Sequence, residues 1–426
     1  MDEAAINATM RGGAAGIVGA RFVRVENLYV GAPPPAPPAA GPVPSCPYPG
    51  LAYFGPLDSA RFFGRDEAIG ALERAVAKRT FTALVGASGS GKSSVVLAGL
   101  APRLDAQGGW RSSYFRVGTE PDKNPFAALA RALVPLLGEG DVVDRMTRAQ
   151  KLASSLESGE LALANVIAQC RIANPGKRVL LIADQFEEVF TLVSDEALRN
   201  RFIDALIDAF PDPAPGAAPD VCLVLTLRAD FYNAALRHRP LADKLQDRVE
   251  NLGPMTRDEL REAIVRPASA VHAEFEPGLV DAILDDVEKR PGSLPLLQFA
   301  LREMWGCLEK PLMTRSAYEA IGGVEGALAR RAQAIFDSAT RRGDDAASVA
   351  LFRRLFTRLV TLGEGAEDTR RIVGRDELGP DAWALAQKLA DEDNRLVVTA
   401  APAPGQETAR SCTKRSSVTG RRWSTG

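Results

Sequence analysis

Histidine is scarce in this chain: 426 residues contain only His238 and His272. Two imidazoles leave little material for a histidine-based metal centre or catalytic triad, and neither is given a role. Cysteine is thin and scattered (Cys46, Cys170, Cys222, Cys307 and Cys412), with no CxxC pair. Neither a disulfide framework nor a zinc site is expected, and the thiols read as reduced groups of a cytoplasmic protein. No apolar run reaches the roughly 18–20 residues that span a bilayer. The opening "MDEAAINATMRGG" carries acids where a secretory signal has an apolar core. Net charge is nearly absent as well, since 52 Lys and Arg stand against 54 Asp and Glu to leave −2. No global basic field draws the chain to nucleic acid or anionic lipid, so no nucleic-acid partner and no membrane span are expected.

What is present is the composition of a soluble globular protein, 46% hydrophobic and 25% charged, with room for roughly two to four domains. Abundant Ala, Arg, Gly and Pro point to a GC-rich bacterial genome. Residues 1–45 are expected to be a disordered tail: "GAPPPAPPAAGPVP" is a semi-rigid linker, and "ARFVRVENLYVG" before it has strand-like alternation but is too short to bury a core. From 46 to 253 strand and helix patterns alternate. "FTALVG", "SSYFRVG", "RVLLIAD" and "VCLVLTL" read as strands, the last two as central strands buried on both faces. The spacing predicts helices over 65–78, with Ile69, Leu72 and Val76 on one face, and over 125–137, with Pro125 in the first turn. Residues 254–343 are a succession of amphipathic helices. Over 344–409, helices mix with short strands in the manner of a small, partial winged-helix domain. The expected fold is thus an α/β domain with a parallel sheet, followed by a helical lid domain and that winged helix; the glycine-rich run "GASGSGKS" after the first strand makes the α/β part a P-loop NTPase.

"GASGSGKS", Gly86 to Ser93, matches GxxxxGK[ST] between an expected strand and an expected helix, and that context gives the motif its strength. Gly86, Ser88, Gly89, Ser90, Gly91, Lys92, Ser93 and Ser94 are the candidate nucleotide-binding residues. Glycines let backbone N–H groups approach phosphates, and the helix start adds positive partial charge. Lys92 would reach the β- and γ-phosphates and the Ser93 hydroxyl would ligate Mg²⁺. The run "VLLIADQFEEVF" supplies the second metal ligand, the Asp184 carboxylate, at a strand end. Glu187 or Glu188 would polarise the attacking water; spacing does not separate them, and the reading leans to Glu187. "LTLRAD" brings Arg228 to the same sheet edge, where it would sense γ-phosphate charge or else pair with Asp230.

Pumps, kinases and switches share such a loop. "SGSGKSS" is similar to the loop of ABC transporter ATPases, but "VIAQCRIANPGKRVLLIAD" lacks their LSGGQ-like signature before the acidic strand. Small-molecule kinases do not need the helical and winged-helix parts. "CPYPGLAYFGPLDSARFFGRDEAI", "LVGASGSGKSS", "LIADQFEEVFT", "LTLRADFY" and "PGSLPLLQFALREMW", in that order, resemble the novel STAND NTPases of bacteria. Those are AAA+-like signal-transduction ATPases often fused to WD repeats. The resemblance implies a switch held off by ADP and, with ATP and a signal, opened to self-associate and act on an effector protein. It also implies that Gly64 and Arg65 of "FFGRD" lie against the base and that Pro295 of "GSLPLL" packs on adenine from the lid.

Two features depart from the family. Only about 45 residues precede the ATPase where an effector is usual, and no sensor array follows the winged helix. The basic tail 410–426, "RSCTKRSSVTGRRWSTG", breaks the pattern. One permitted back-translation, shifted by one base after Ala409, reads EVVHEALIRNWPTLVDW and is similar to the family's continuation. A one-base deletion near codon 409 is therefore expected, a flexible basic tail being the alternative. For the activity, the alternatives are a truncated nucleotide-binding module without effective hydrolysis and, more remotely, an ABC-like motor.

Overall fold

The computed structural model describes residues 43–411 apart from 121–122, 139, 215, 289–293, 309, 328–329, 332, 334–344, 362–368, 371–372, 391–396 and 401–407. The linker as far as residue 42 and the basic tail from residue 412 lie outside the described residues, as does much of the end of the helical succession expected over 254–343.

Five strands form one sheet: β1 (Phe81–Gly86), β2 (Trp110–Phe115), β3 (Arg178–Ala183), β4 (Val221–Arg228) and β5 (Val249–Leu252). Every neighbouring pair is parallel, in the order β2-β3-β4-β1-β5. Helices cover both faces, so β1 and the interiors of β3 and β4 are buried throughout and read as unbroken apolar runs. Alternate side chains feed two cores. Leu181 and Ala183 pack with Phe126, Leu129 and Phe202 on one face, while Leu180 and Ile182 pack with Ile69, Leu72 and Val95 on the other. The strand expected over 112–118 ends at Phe115, and Arg116 leads into the tight turn Val117–Thr119.

The strand order matters for chemistry because β4 stands between β1 and β3. The carboxyl ends of β1, β4 and β3 therefore line up along one edge and bring together three sequence segments far apart in the chain.

Beyond β5 the chain is mainly helical. The helix Arg257–Ala270 starts with a capping box: the Glu259 amide donates to Thr256 Oγ1 and the Thr256 amide donates to Glu259 Oε2. Helices Leu279–Glu288, Leu294–Trp305 and Arg315–Ile321 follow. Further on, helices Asp345–Leu359 and Pro380–Ala390 accompany a three-stranded antiparallel sheet of Val373–Gly374, Thr408–Ser411 and Val397–Ala400. One hydrophobic cluster joins Leu260, Leu301 and Trp305 to Leu355, Trp383 and Ala409, so the two helical parts share a core across residue 343. Strand Thr408–Ser411 runs past residue 409, where composition changes, because its pairing partners extend there.

Candidate phosphate-binding site

β1 ends at Gly86, and the chain turns into a helix that begins at Lys92–Ser94, continues as the π-helical stretch Val95–Leu100 and ends as Ala101–Ala106. Gly89 and Gly91 take φ of 77° and 92°, left-handed values that a residue with a Cβ adopts only at a cost. Ser88 is half-buried and Ser90 buried in this turn. The buried Ser90 Oγ has no hydrogen-bond partner among the described residues, an uncompensated polar atom of the kind that awaits a ligand. Lys92 is also buried; its Nζ donates to the carbonyls of Gly86 (2.9 Å) and Ala87 (2.8 Å). Burial pushes the ammonium down from its ordinary value, with Glu187 pulling it back up.

Ser93 and Asp184 meet across the width of β4. Ser93 Oγ donates to Asp184 Oδ1 at 2.8 Å. Thr226 Oγ1, on β4 between them, donates to the same oxygen at 2.8 Å and accepts the Gln185 amide at 2.8 Å. Thr226 is fully buried, and sequence reasoning missed it. The available signal was a hydroxyl inside a strand buried on both faces, which needs a partner. Burial pushes the Asp184 carboxyl up, and the Thr226 and Ser93 hydroxyls oppose that rise.

The neighbouring glutamates are held differently. Glu188 Oε1 accepts from Arg116 Nε (2.9 Å) and Nη2 (2.6 Å), and its Oε2 accepts the Gly118 amide (2.6 Å). Both of its oxygens are thus engaged by the turn after β2. Glu187 is buried, accepts the Arg228 amide on Oε2 (3.3 Å) and lies on the Lys92 side, where the Lys92 charge reaches it. Burial pushes the Glu187 carboxyl up from its ordinary 4.5. Arg228 ends β4 at this edge, but its guanidinium is paired with the Asp230 carboxylate and sits 5.3 Å from the Phe231 ring centroid.

The "FFGRD" segment joins the loop to the start of the helix Arg257–Ala270. Arg65 is buried; its Nη2 donates to the carbonyls of Ser90 (2.9 Å) and Gly253 (3.1 Å), and its Nη1 lies 3.9 Å from Glu259. Gly64 has φ 82°, and a Cβ there would stand 2.2 Å from the Glu259 carbonyl oxygen. Gly64→Ala is accordingly expected to cost at least about 2 kcal/mol, read as a lower midpoint in a thermal melt. Pro295 is the second residue of Leu294–Trp305, a first-turn position where its missing N–H is harmless. Ser94, the last of the sequence-derived loop residues, accepts the Phe54 amide on Oγ at 3.1 Å.

Two surface hollows, of about 400 and 510 Å³, lie at the opposite sheet edge around Arg79 and Arg248 and around Arg171 and Arg178. None of the residues assembled at the phosphate loop lines them. Among the described residues, no group of three or more His, Cys, Asp or Glu side chains could hold a metal, no helix is long and apolar enough to cross a membrane, and Cys46, Cys170, Cys222 and Cys307 are free thiols.

No curated protein matches the chain. Among solved structures, the Aeropyrum pernix ORC1 protein in complex with DNA is similar at 13% identity, over 84% of this chain and 91% of that one, with a TM-score of 0.43. A Walker-type ATPase of Pyrococcus abyssi is similar at 14% identity, over 85% and 96%, with a TM-score of 0.41. Cdc6p from Pyrobaculum aerophilum is similar at 13%, over 82% and 90%, with a TM-score of 0.36. Likenesses this distant say nothing about ligand or partner. The family model described as Novel STAND NTPase 1 matches residues 47–415. That span takes in the phosphate loop, Asp184, both glutamates, Arg228 and the helices beyond, and the chain belongs to the novel STAND NTPases.

Proposed function

We propose that this chain is a signalling switch that binds ATP and ADP at the loop from Gly86 to Ser94 and hydrolyses ATP slowly. ADP keeps it closed, and ATP together with a signal favours an open form that self-associates. The observation that carries the reading is the 2.8 Å bond between Ser93 Oγ and Asp184 Oδ1, made across an intervening strand. A hydroxyl and a carboxylate so placed are hard oxygen donors that suit Mg²⁺. When bound there, Mg²⁺ would offset the charge of the β- and γ-phosphates.

The chain's own residues supply the rest. Lys92 exchanges its two carbonyl partners for phosphate oxygens, a stronger charge-assisted contact. The orphaned Ser90 hydroxyl gains an acceptor. Glu187 accepts a hydrogen bond from the attacking water, since Glu188 is occupied by Arg116 and Gly118. Gly64 and Arg65 carry the loop's state to the lid through Gly253 and Glu259, and Pro295 closes on the base. The balance between two domain arrangements would shift only in so far as ATP and ADP bind them unequally. The helices and three-stranded sheet over 345–411 are read as the winged helix.

Thr226 is a positioning residue in this scheme, holding one Asp184 oxygen in place. Thr226→Val, which keeps the shape, is expected to raise the Mg²⁺ concentration for half-maximal nucleotide binding by about 10–100-fold. Thr226→Ser should restore it. An unchanged Mg²⁺ titration would remove Thr226 from the site. A second reading, nucleotide binding without effective hydrolysis, draws on the pairing of Arg228 with Asp230, which keeps that cation from the phosphates. Phosphate release from bound ATP separates the two.

A further inference from the structure

Residues 44–54 run as a strap from the lid helices to the phosphate loop. At the lid end, the Trp305 indole N–H donates to the Pro44 carbonyl (3.1 Å) and Arg302 Nη1 donates to the Pro49 carbonyl (3.3 Å). Tyr48 is 2% exposed, stands edge-on to Trp305 at 5.9 Å, and donates its hydroxyl to the Ile264 carbonyl at 2.6 Å. This end is part of the lid core. Six residues on, the Phe54 amide donates to Ser94 Oγ and the Phe54 ring packs on Phe62 at 5.4 Å. Phe62 in turn packs against the core that contains the π-helical stretch. Tyr53, half-exposed beside Phe54, lies within electrostatic reach of Asp184 and Arg116.

A short segment anchored at one end in one hydrophobic cluster and at the other beside a second one ties the two together. Tyr48 belongs to the cluster of Leu260, Leu301 and Trp305, whereas Phe54 meets Ser94 and Phe62 at the other end. Between them lie only five residues, Pro49 to Tyr53, drawn in by a turn in which the Ala52 amide donates to the Pro49 carbonyl. We propose that this strap couples the lid to the phosphate loop, so that seating Tyr48 in the lid orders the Phe54–Ser94 contact and with it the start of the loop's helix. The coupling rests on the reading of this loop as the nucleotide site. It differs from the Arg65 contact because it approaches the loop from its Ser94 side.

The test compares the full chain with Tyr48→Phe, Ser94→Ala and the double variant, by ADP titration and by hydrogen exchange without nucleotide. Tyr48→Phe keeps the ring and removes one hydrogen bond. It should weaken ADP binding by about fivefold, within the range of measured couplings, and speed exchange at the Phe54 amide as well as around Tyr48. In the Ser94→Ala background, Tyr48→Phe should add nothing. Trp305→Phe, which loses the bond to Pro44, should act in the same direction if Tyr48→Phe does not fold. Unchanged exchange at Phe54, or an equal affinity loss in both backgrounds, would overturn the coupling. Failure of the parent chain to bind ADP would instead overturn the site, and the exchange comparison would still decide the strap.

Discussion

Replacing Lys92 with Ala is expected to weaken ATP and ADP binding by about 100-fold or more while leaving the chain folded. The affinity term follows from losing a charge-assisted contact to phosphate in a partly dry site, worth roughly 1.5–3 kcal/mol and more where two phosphates share it. The stability term runs the other way. Burial holds the Lys92 ammonium below its ordinary value, so the folded state binds its proton less well than the unfolded chain does, and at neutral pH the charge is a burden on folding. Its removal leaves the carbonyls of Gly86 and Ala87 to other donors, but it relieves that burden. A thermal midpoint that stays level or rises, beside lost affinity for a fluorescent ADP, is the expected pair of results. A large fall in the midpoint would make Lys92 a structural residue of its own loop.

The second large effect separates the adjacent glutamates. Glu187→Gln is expected to slow ATP turnover by about 10²–10⁴-fold, the usual contribution of a positioned general base, with nucleotide affinity retained. Glu188→Gln is expected to act on folding instead. It breaks the Arg116 pair, in which both side chains are largely buried, and leaving one buried charge uncompensated costs on the order of 3 kcal/mol. Turnover per folded molecule should then change little. The pH profile gives an independent check. Glu187 works as a carboxylate, and burial raises it above 4.5, so activity should fall on the acid side at a pH above that of an ordinary glutamate. Glu187→Gln should remove the Glu187 part of that limb and leave only what Asp184, also raised by burial, contributes. Equal effects of the two substitutions on turnover would return the choice to where sequence spacing left it.

Much of the site was legible because its parts are local. The loop from Gly86 to Ser93 and the strand running into Asp184 are contiguous patterns, and each names its own chemistry. What the pattern could not carry was adjacency. Parallel strands are joined by crossovers of many residues, so neighbours in the sheet need not be neighbours in the chain, and the insertion of β4 between β1 and β3 is invisible in any single window. Thr226 gains its role only from that insertion. The choice between Glu187 and Glu188 depends on Arg116, 72 residues upstream of Glu188, which the sequence pattern places inside a strand. Gly64 and Arg65 were expected at the base on family resemblance. Their contacts to Gly253 and Glu259 depend on residues nearly two hundred positions away. The contact between Phe54 and Ser94 left no trace in spacing, since a backbone amide has no sequence signature.

The most direct measurement is single-turnover phosphate release from ATP bound by the parent chain with Mg²⁺, beside Glu187→Gln under the same conditions. The proposed switch predicts slow release from the parent chain, well above the uncatalysed rate, and its loss in Glu187→Gln with ATP still bound. A parent chain that holds ATP without releasing phosphate, or a Glu187→Gln chain that releases it as fast, would contradict hydrolysis at this site and leave a nucleotide-binding module in its place.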